Sequence, residues 1–114
     1  MIEKVYSQTA QKDINRHLDK AKAFSVYLYK TRSNNLFQKI NSLQPESGEP
    51  LSSFIGRYAS QYHIEPIYRI ALENPFVIYF KGGEDEIIII HVFNNHDEED
   101  KDWLEKIIEL REWE

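Results

Sequence analysis

Residues 75–95, PFVIYFKGGEDEIIIIHVFNN, hold two apolar runs, Phe76–Phe80 and Ile87–Phe93, separated by a charged link. Both runs are rich in Val, Ile, Phe and Tyr, and both have strand rather than helix length. The link from Lys81 to Glu86 contains the only Gly-Gly pair, Gly82-Gly83, and Gly-rich polar links suit a hairpin loop. The second run, Ile87-Ile88-Ile89-Ile90-His91-Val92-Phe93, does not alternate. Successive strand side chains point to opposite faces, so this strand is buried on both, as in the middle of a sheet. The hairpin is the expected core, with the rest of the chain packed on it.

The flanking segments read as helices and further strands. Ile2–Tyr6 predicts a first strand. Ser7 or Thr9 then caps a helix, with Asp13 close to its first turn. Ala10, Ile14, Leu18 and Ala21 recur at helical spacing. The apolar phase restarts near Phe24-Ser25, and Val26, Tyr29, Leu36, Phe37, Ile40 and Leu43 form a second stripe. Gln44–Pro50, with two prolines and a glycine, ends it. The two stripes predict an αα-hairpin. Leu51, Phe54, Ile55, Tyr58 and Tyr62 predict a short helix over 51–62 despite Gly56, and Pro66–Leu72 predicts a strand broken by Asn74-Pro75. A polar turn, Asn94–Asp100, leads to a last helix at about 98–113 carrying Trp103, Leu104, Ile107, Ile108 and Leu110. The expected order is β-α-α-(α)-β-β-β-α in one α+β domain over 1–114. Its N-terminal strand and αα-hairpin pack on a small, mostly antiparallel sheet.

With 41% hydrophobic and 13% aromatic residues, 114 residues can bury a real core. There are no cysteines, so disulfides and thiolate metal sites are excluded, and a reducing cytosol fits. No signal peptide is read at the N-terminus, and no apolar run approaches the ~18 residues of a membrane span. A cytoplasmic protein away from the membrane is expected. The net charge of −5 hides an asymmetry: residues 1–83 carry 11 Lys/Arg against 7 Asp/Glu, and residues 84–114 carry 3 against 12. The ordinary reading of the acidic end is a solvated helix; the sharper one is that it covers a basic surface on the body or on a partner.

No Gly-rich phosphate loop, HExxH motif or GxSxG motif is present. His17, His63, His91 and His96 are scattered, so neither a metal site nor a cofactor is expected. His91 lies in the most apolar strand. It is read first as a hydrogen-bonded core histidine and second as a proton-transfer group. His96 follows Asn94 and Asn95 in the loop after that strand, where function often sits but where Asn and Asp also serve local turns. Arg69 takes the face opposite Tyr68 and Ile70, where a guanidinium on an open sheet face could bind phosphate or carboxylate. Arg57, Arg69 and Lys81 are candidates for a basic partner-binding patch. They form no dense basic run with interleaved aromatics, so direct nucleic-acid binding is not expected.

The layout resembles the RelE/ParE superfamily of bacterial type II toxin–antitoxin toxins. VYSQTAQKDI looks like the family's opening strand and helix. NNLFQKINSLQPESG looks like its second helix, ending in Leu, then Pro and Gly. PFVIYFKGGEDEIIIIHVF looks like its sheet hairpin, and NNHDEED falls where similar members have a polar loop. The likeness covers about residues 2–97. It implies a small α+β toxin held inactive by a cognate antitoxin. RelE-like members cut messenger RNA on the ribosome, using basic residues and often a C-terminal tyrosine; ParE-like members poison DNA gyrase without them. Beyond Tyr79 this chain has no tyrosine, His96 stands where arginine is common, and the C-terminal region is acidic. These departures favour a ParE-like toxin that acts by binding a protein through Arg57, Arg69, Lys81, Asn94, Asn95 and His96. The first alternative is a RelE-like endoribonuclease with His91 or His96 as base and Arg69 as charge stabiliser. The second is a non-toxin binding module from a phage or mobile element.

Overall fold

The structure, a computed structural model, describes residues 2–56 and 62–113. Strand β1 (Glu3–Tyr6) is followed by helices α1 (Gln8–Phe24) and α2 (Val26–Ser42), then by strand β2 (Glu49–Pro50) and helix α3 (Leu51–Ile55). Strands β3 (Tyr68–Glu73), β4 (Phe76–Gly82) and β5 (Glu86–Asn94) follow, and helix α4 (Trp103–Leu110) comes last. The five strands form one sheet in the order β1-β5-β4-β3-β2. β1 runs parallel to β5 and every other pair is antiparallel. The expected α+β architecture is therefore what the chain adopts. Among the described residues no helix is long and apolar enough to cross a membrane.

The sheet is covered on both sides, which explains the unbroken apolar run. Ala10, Ile14, Leu36 and Ile40 of the helical hairpin pack on Ile78, Phe80, Ile87 and Ile89. On the opposite face Leu51, Ile55, Ile64 and Ile107 meet Ile70, Val77, Tyr79 and Phe93. β4 is the middle strand and all of Phe76–Phe80 is buried. Gly82, at the end of β4, passes closely against Pro45: a Cβ there would lie 2.6 Å from the Pro45 carbonyl oxygen.

A serine rather than a glycine or proline breaks the helical hairpin. Ser25 is extended, its N–H donates to the Ala21 carbonyl at 2.9 Å, and its Oγ accepts from Leu28 N at 3.2 Å. One residue thus ends α1 and caps α2. Of the two predicted caps for α1 it is Ser7 that acts, accepting from Ala10 N at 2.9 Å, while Thr9 lies inside the helix.

Several boundaries differ from expectation. The stop after α2 is not only a loop: Glu49-Pro50 turns back to pair with Ile70 and Arg69 as an edge strand. α3 closes at Gly56, whose φ of 67° favours glycine; residues 57–61 of the predicted helix lie outside the described residues. β3 starts at Tyr68, because Pro66 and Ile67 form a turn. The last helix begins at Trp103 rather than near 98, because residues 97–102 form turns closed by Asp97 N to Asn94 O and Asp100 N to Asp97 O, both 3.0 Å.

Candidate functional site

β1 pairs with β5 only as far as Tyr6 opposite Ile89. Beyond that, the outer edge of β5 has no neighbouring strand among the described residues, and its backbone groups need other partners. A bulge changes which groups face outward: Phe80 opposes Ile89 but Tyr79 opposes His91, so β5 has one extra residue there. α1 and the loop after β5 then satisfy the edge. Ser7 Oγ donates to Ile90 O at 2.7 Å, Asp13 Oδ2 accepts from Val92 N at 3.1 Å, and His17 Nε2 donates to Val92 O at 2.8 Å. Asp100 Oδ2 accepts from Asn94 N at 2.9 Å. Side chains of one helix and one turn stand where a strand would.

Asp100 is the hub of this arrangement and is only 1% exposed. Its two carboxylate oxygens accept from Arg16 Nη2 at 3.2 Å each, and Oδ2 lies 3.3 Å from His17 Nε2. Arg16 also holds Glu99 at 2.7 Å, and Lys106 reaches the Glu99 carbonyl. Because the Val92 carbonyl can only accept, the proton of neutral His17 sits on Nε2 and Nδ1 carries a lone pair. Burial pushes the His17 pKa down against the opposing pull of the Val92 carbonyl. Nδ1 is itself buried and has no hydrogen-bond partner among the described residues.

His17 is among the residues that line a groove of about 460 Å³. One side is the tip of the helical hairpin, with Lys20, Phe24, Leu28 and Arg32; the other is the loop bearing Asn94 and His96. Lys20 spans the two sides through a 2.7 Å salt bridge to Asp97, whose pKa is lowered by that bond and by the Glu99 N–H. The tip itself is apolar and bare: Phe24 is 85%, Tyr27 80% and Val26 58% exposed. Residues 20–32 carry Lys20, Lys22, Lys30 and Arg32 and no acid.

The structure divides the residues expected to act together. Asn94 and His96 line the groove, and Asn95 lies beside them, its N–H donating to Pro75 O at 2.8 Å. The His96 N–H donates to Asn94 Oδ1 at 2.9 Å, a local turn bond. Arg69 and Lys81 lie at the other end of the sheet, since β4 runs from Phe76 opposite Asn94 to Gly82 opposite Ile87, a length of about 20 Å. Nor is the Arg69 guanidinium free on an open face, as the sequence suggested. It donates to Ser47 O at 2.7 Å and to Glu46 O and Gly48 O at 3.0 Å each, clamping the loop before β2. Lys81 Nζ lies 5.7 Å over the Tyr68 ring. Arg57 lies outside the described residues.

His91 is a buried, hydrogen-bonded histidine of the core strand, the reading put first from the sequence. Nδ1 is 3.4 Å from Asp13 Oδ2 and Nε2 3.2 Å from Glu112 Oε2, while the ring stacks on Tyr79 and Phe93. Burial pulls its pKa down, but the bond to Asp13 and the charge of Glu112 outweigh that and the net shift is upward. The geometry is that of an imidazolium clasped by two carboxylates. Beside it the Tyr79 hydroxyl is buried without a hydrogen-bond partner among the described residues, and burial raises its pKa. Among the described residues no group of three or more His, Asp or Glu is placed to hold a metal ion.

The groove residues His17, Phe24, Leu28 and Arg32, and Tyr27 at the exposed tip, were not among the sequence candidates. Two signals pointed to them: His17 falls on the apolar stripe of α1, and the hairpin turn reads Phe-Ser-Val-Tyr where polar turn residues are usual. A scan against protein-family models finds no match for the chain, and a search of curated proteins finds none.

Proposed function

We propose that this chain is the toxin of a type II toxin–antitoxin pair, of the ParE-like kind. It acts in the cytoplasm by binding a protein target through the helical-hairpin tip, and a cognate antitoxin covering that surface silences it. The observation that carries the reading is the tip itself. Phe24, Val26 and Tyr27 stand in solvent beside a groove, although burying each such side chain would contribute roughly 1.5–3 kcal/mol. Exposed apolar clusters rimmed by charge mark protein contacts. The occupied state of the alternative catalytic groups supports binding over cleavage. His91 is held on both ring nitrogens by carboxylates and Arg69 by carbonyls, so neither is poised as base or charge stabiliser.

DNA gyrase is the target the resemblance implies. The test is induced expression in bacteria without a partner gene. Growth arrest with a DNA-damage response is expected. Arrest with cleaved messenger RNA would transfer the function to the nuclease branch, and unimpaired growth would remove the toxin reading.

A further inference from the structure

Helix α4 ends at Leu110, and Arg111 turns the chain in the left-handed conformation (φ 47°), its N–H donating to Ile107 O at 3.1 Å. The next two residues return to the sheet. Glu112 accepts from His91 Nε2 at 3.2 Å. Trp113 packs on the core cluster that holds Tyr79, Phe93 and Ile107, and its ring stands edge-on to Tyr62 at 6.2 Å. Trp113 Nε1 is buried with no hydrogen-bond partner among the described residues, so closure costs that donor its water. Burial of the ring and the grip of His91 on Glu112 offset that cost.

We propose that residues 111–113 form a pH-sensitive latch. Protonated His91 grips Glu112 and keeps Trp113 against the core; loss of that proton frees the segment while the sheet and the other helices stay folded. The latch stands whether or not the hairpin tip docks a protein.

The two carboxylates beside His91 are unequally held, and this decides which one lets go. Asp13 is anchored independently: its Oδ2 accepts from Val92 N at 3.1 Å and its Oδ1 lies 3.6 Å from Arg16 Nη2. The Glu112 side chain is 34% exposed, so its carboxylate can return to water. A charged imidazole donates from both nitrogens and a neutral one from a single nitrogen. With the remaining proton on Nδ1 beside Asp13, Nε2 turns a lone pair towards Glu112, and two acceptors face each other. From β4 the ring meets Tyr79, whose hydroxyl burial keeps protonated, with Tyr68 of β3 behind it; from β5 it meets the apolar Phe93. Burial disfavours the His91 charge, but Asp13 and Glu112 outweigh it, and the pKa is raised. The latch is therefore shut below pH 6.5 and opens as pH rises through the folded value.

The two tryptophans supply a probe and a control. Trp113 stands against Tyr62, and Trp103 stands edge-on to Phe54 at 5.7 Å. In the full chain labelled with ¹³C and ¹⁵N, the nuclear Overhauser contacts between Trp113 and Tyr62 should be present at pH 6 and lost by pH 9. Their loss should share the midpoint of the His91 ring titration, while the contacts between Trp103 and Phe54 persist throughout. Glu112→Gln removes the charge at a partly exposed position, so the fold is kept. In that variant the Trp113 contacts should no longer change with pH, and the His91 midpoint should fall. His91→Gln should abolish the change as well. Trp113 contacts that persist to pH 9 in wild type while His91 loses its proton would overturn the proposal. So would their loss at an unchanged midpoint in Glu112→Gln. Loss of both tryptophans' contacts together would mean that the whole domain opens, which would also overturn it.

Discussion

Replacing Asp100 by alanine tests whether the turn after β5 holds the edge of the sheet in place. The carboxylate is buried, accepts the Asn94 N–H, lies against His17 Nε2 and receives two contacts from Arg16. Its loss leaves the Asn94 N–H without an acceptor and Arg16 without its main partner. Breaking a buried charge pair by removing one member costs about 3–5 kcal/mol. The Arg16 side chain is 32% exposed and can return to water, so the lower half of that range is expected. An unfolding entropy of about 2.1 cal/mol/K per residue over 114 residues makes 3–4 kcal/mol a fall of about 12–17 °C in the thermal midpoint. Asp100→Asn keeps an acceptor for Asn94 and should lose about half as much. Thermal unfolding followed by circular dichroism reads both variants. A midpoint for Asp100→Ala within about 4 °C of wild type would refute the argument, since about 1 kcal/mol is what a solvated surface carboxylate gives up at most.

Four further outcomes are expected. Ser7→Ala removes both the cap of α1 and the bond to Ile90 O and should cost about 1–2 kcal/mol in urea unfolding. Ile89→Ala empties a fully buried site between helices and sheet and should cost about 2–5 kcal/mol in the same assay. In a ring-proton NMR titration His91 should change charge above the ordinary 6.5 and His17 below it. The raised His91 value adds stability that is full below pH 6.5 and fades as pH rises through the folded value; the lowered His17 value withdraws stability as pH falls below 6.5. The excess stability of wild type over His91→Gln should therefore shrink between pH 6 and pH 9, and an excess that grows instead would contradict the imidazolium assignment. Phe24→Ser with Tyr27→Ser should leave the unfolding free energy within about 0.5 kcal/mol of wild type in the same urea assay, because both rings are in solvent.

Which features could be read from the sequence follows from the range of the interactions. The β4–β5 hairpin announces itself through length, branching and its Gly-Gly link, all local. The helical hairpin was readable from two stripes whose phase restarts at Ser25. β2 was not, because Pro50 signals a stop and only the distant Ile70 and Arg69 make it a strand. In the sequence Asp13 reads as a charge near a helix start, yet it serves the backbone of Val92, 79 residues away. Asp100 looked like one of many solvated acids, and nothing local distinguishes it from Glu98 or Glu99. The spatial separation of the candidate residues was hidden for the same reason. Arg69, Lys81 and Asn94–His96 are near one another in sequence only through the hairpin, which carries them to opposite ends of the sheet. His17 and Arg32 meet the 94–98 loop only once α1 has docked on the open edge of β5.

The claim that the chain works by docking at its helical tip, rather than by chemistry at His91, is tested most directly by growth after induced expression of three proteins at matched levels. Wild type and His91→Gln should both arrest growth, while the Phe24→Ser, Tyr27→Ser double variant, equally folded, should not. Arrest that survives in the tip variant and disappears with His91→Gln would contradict the account.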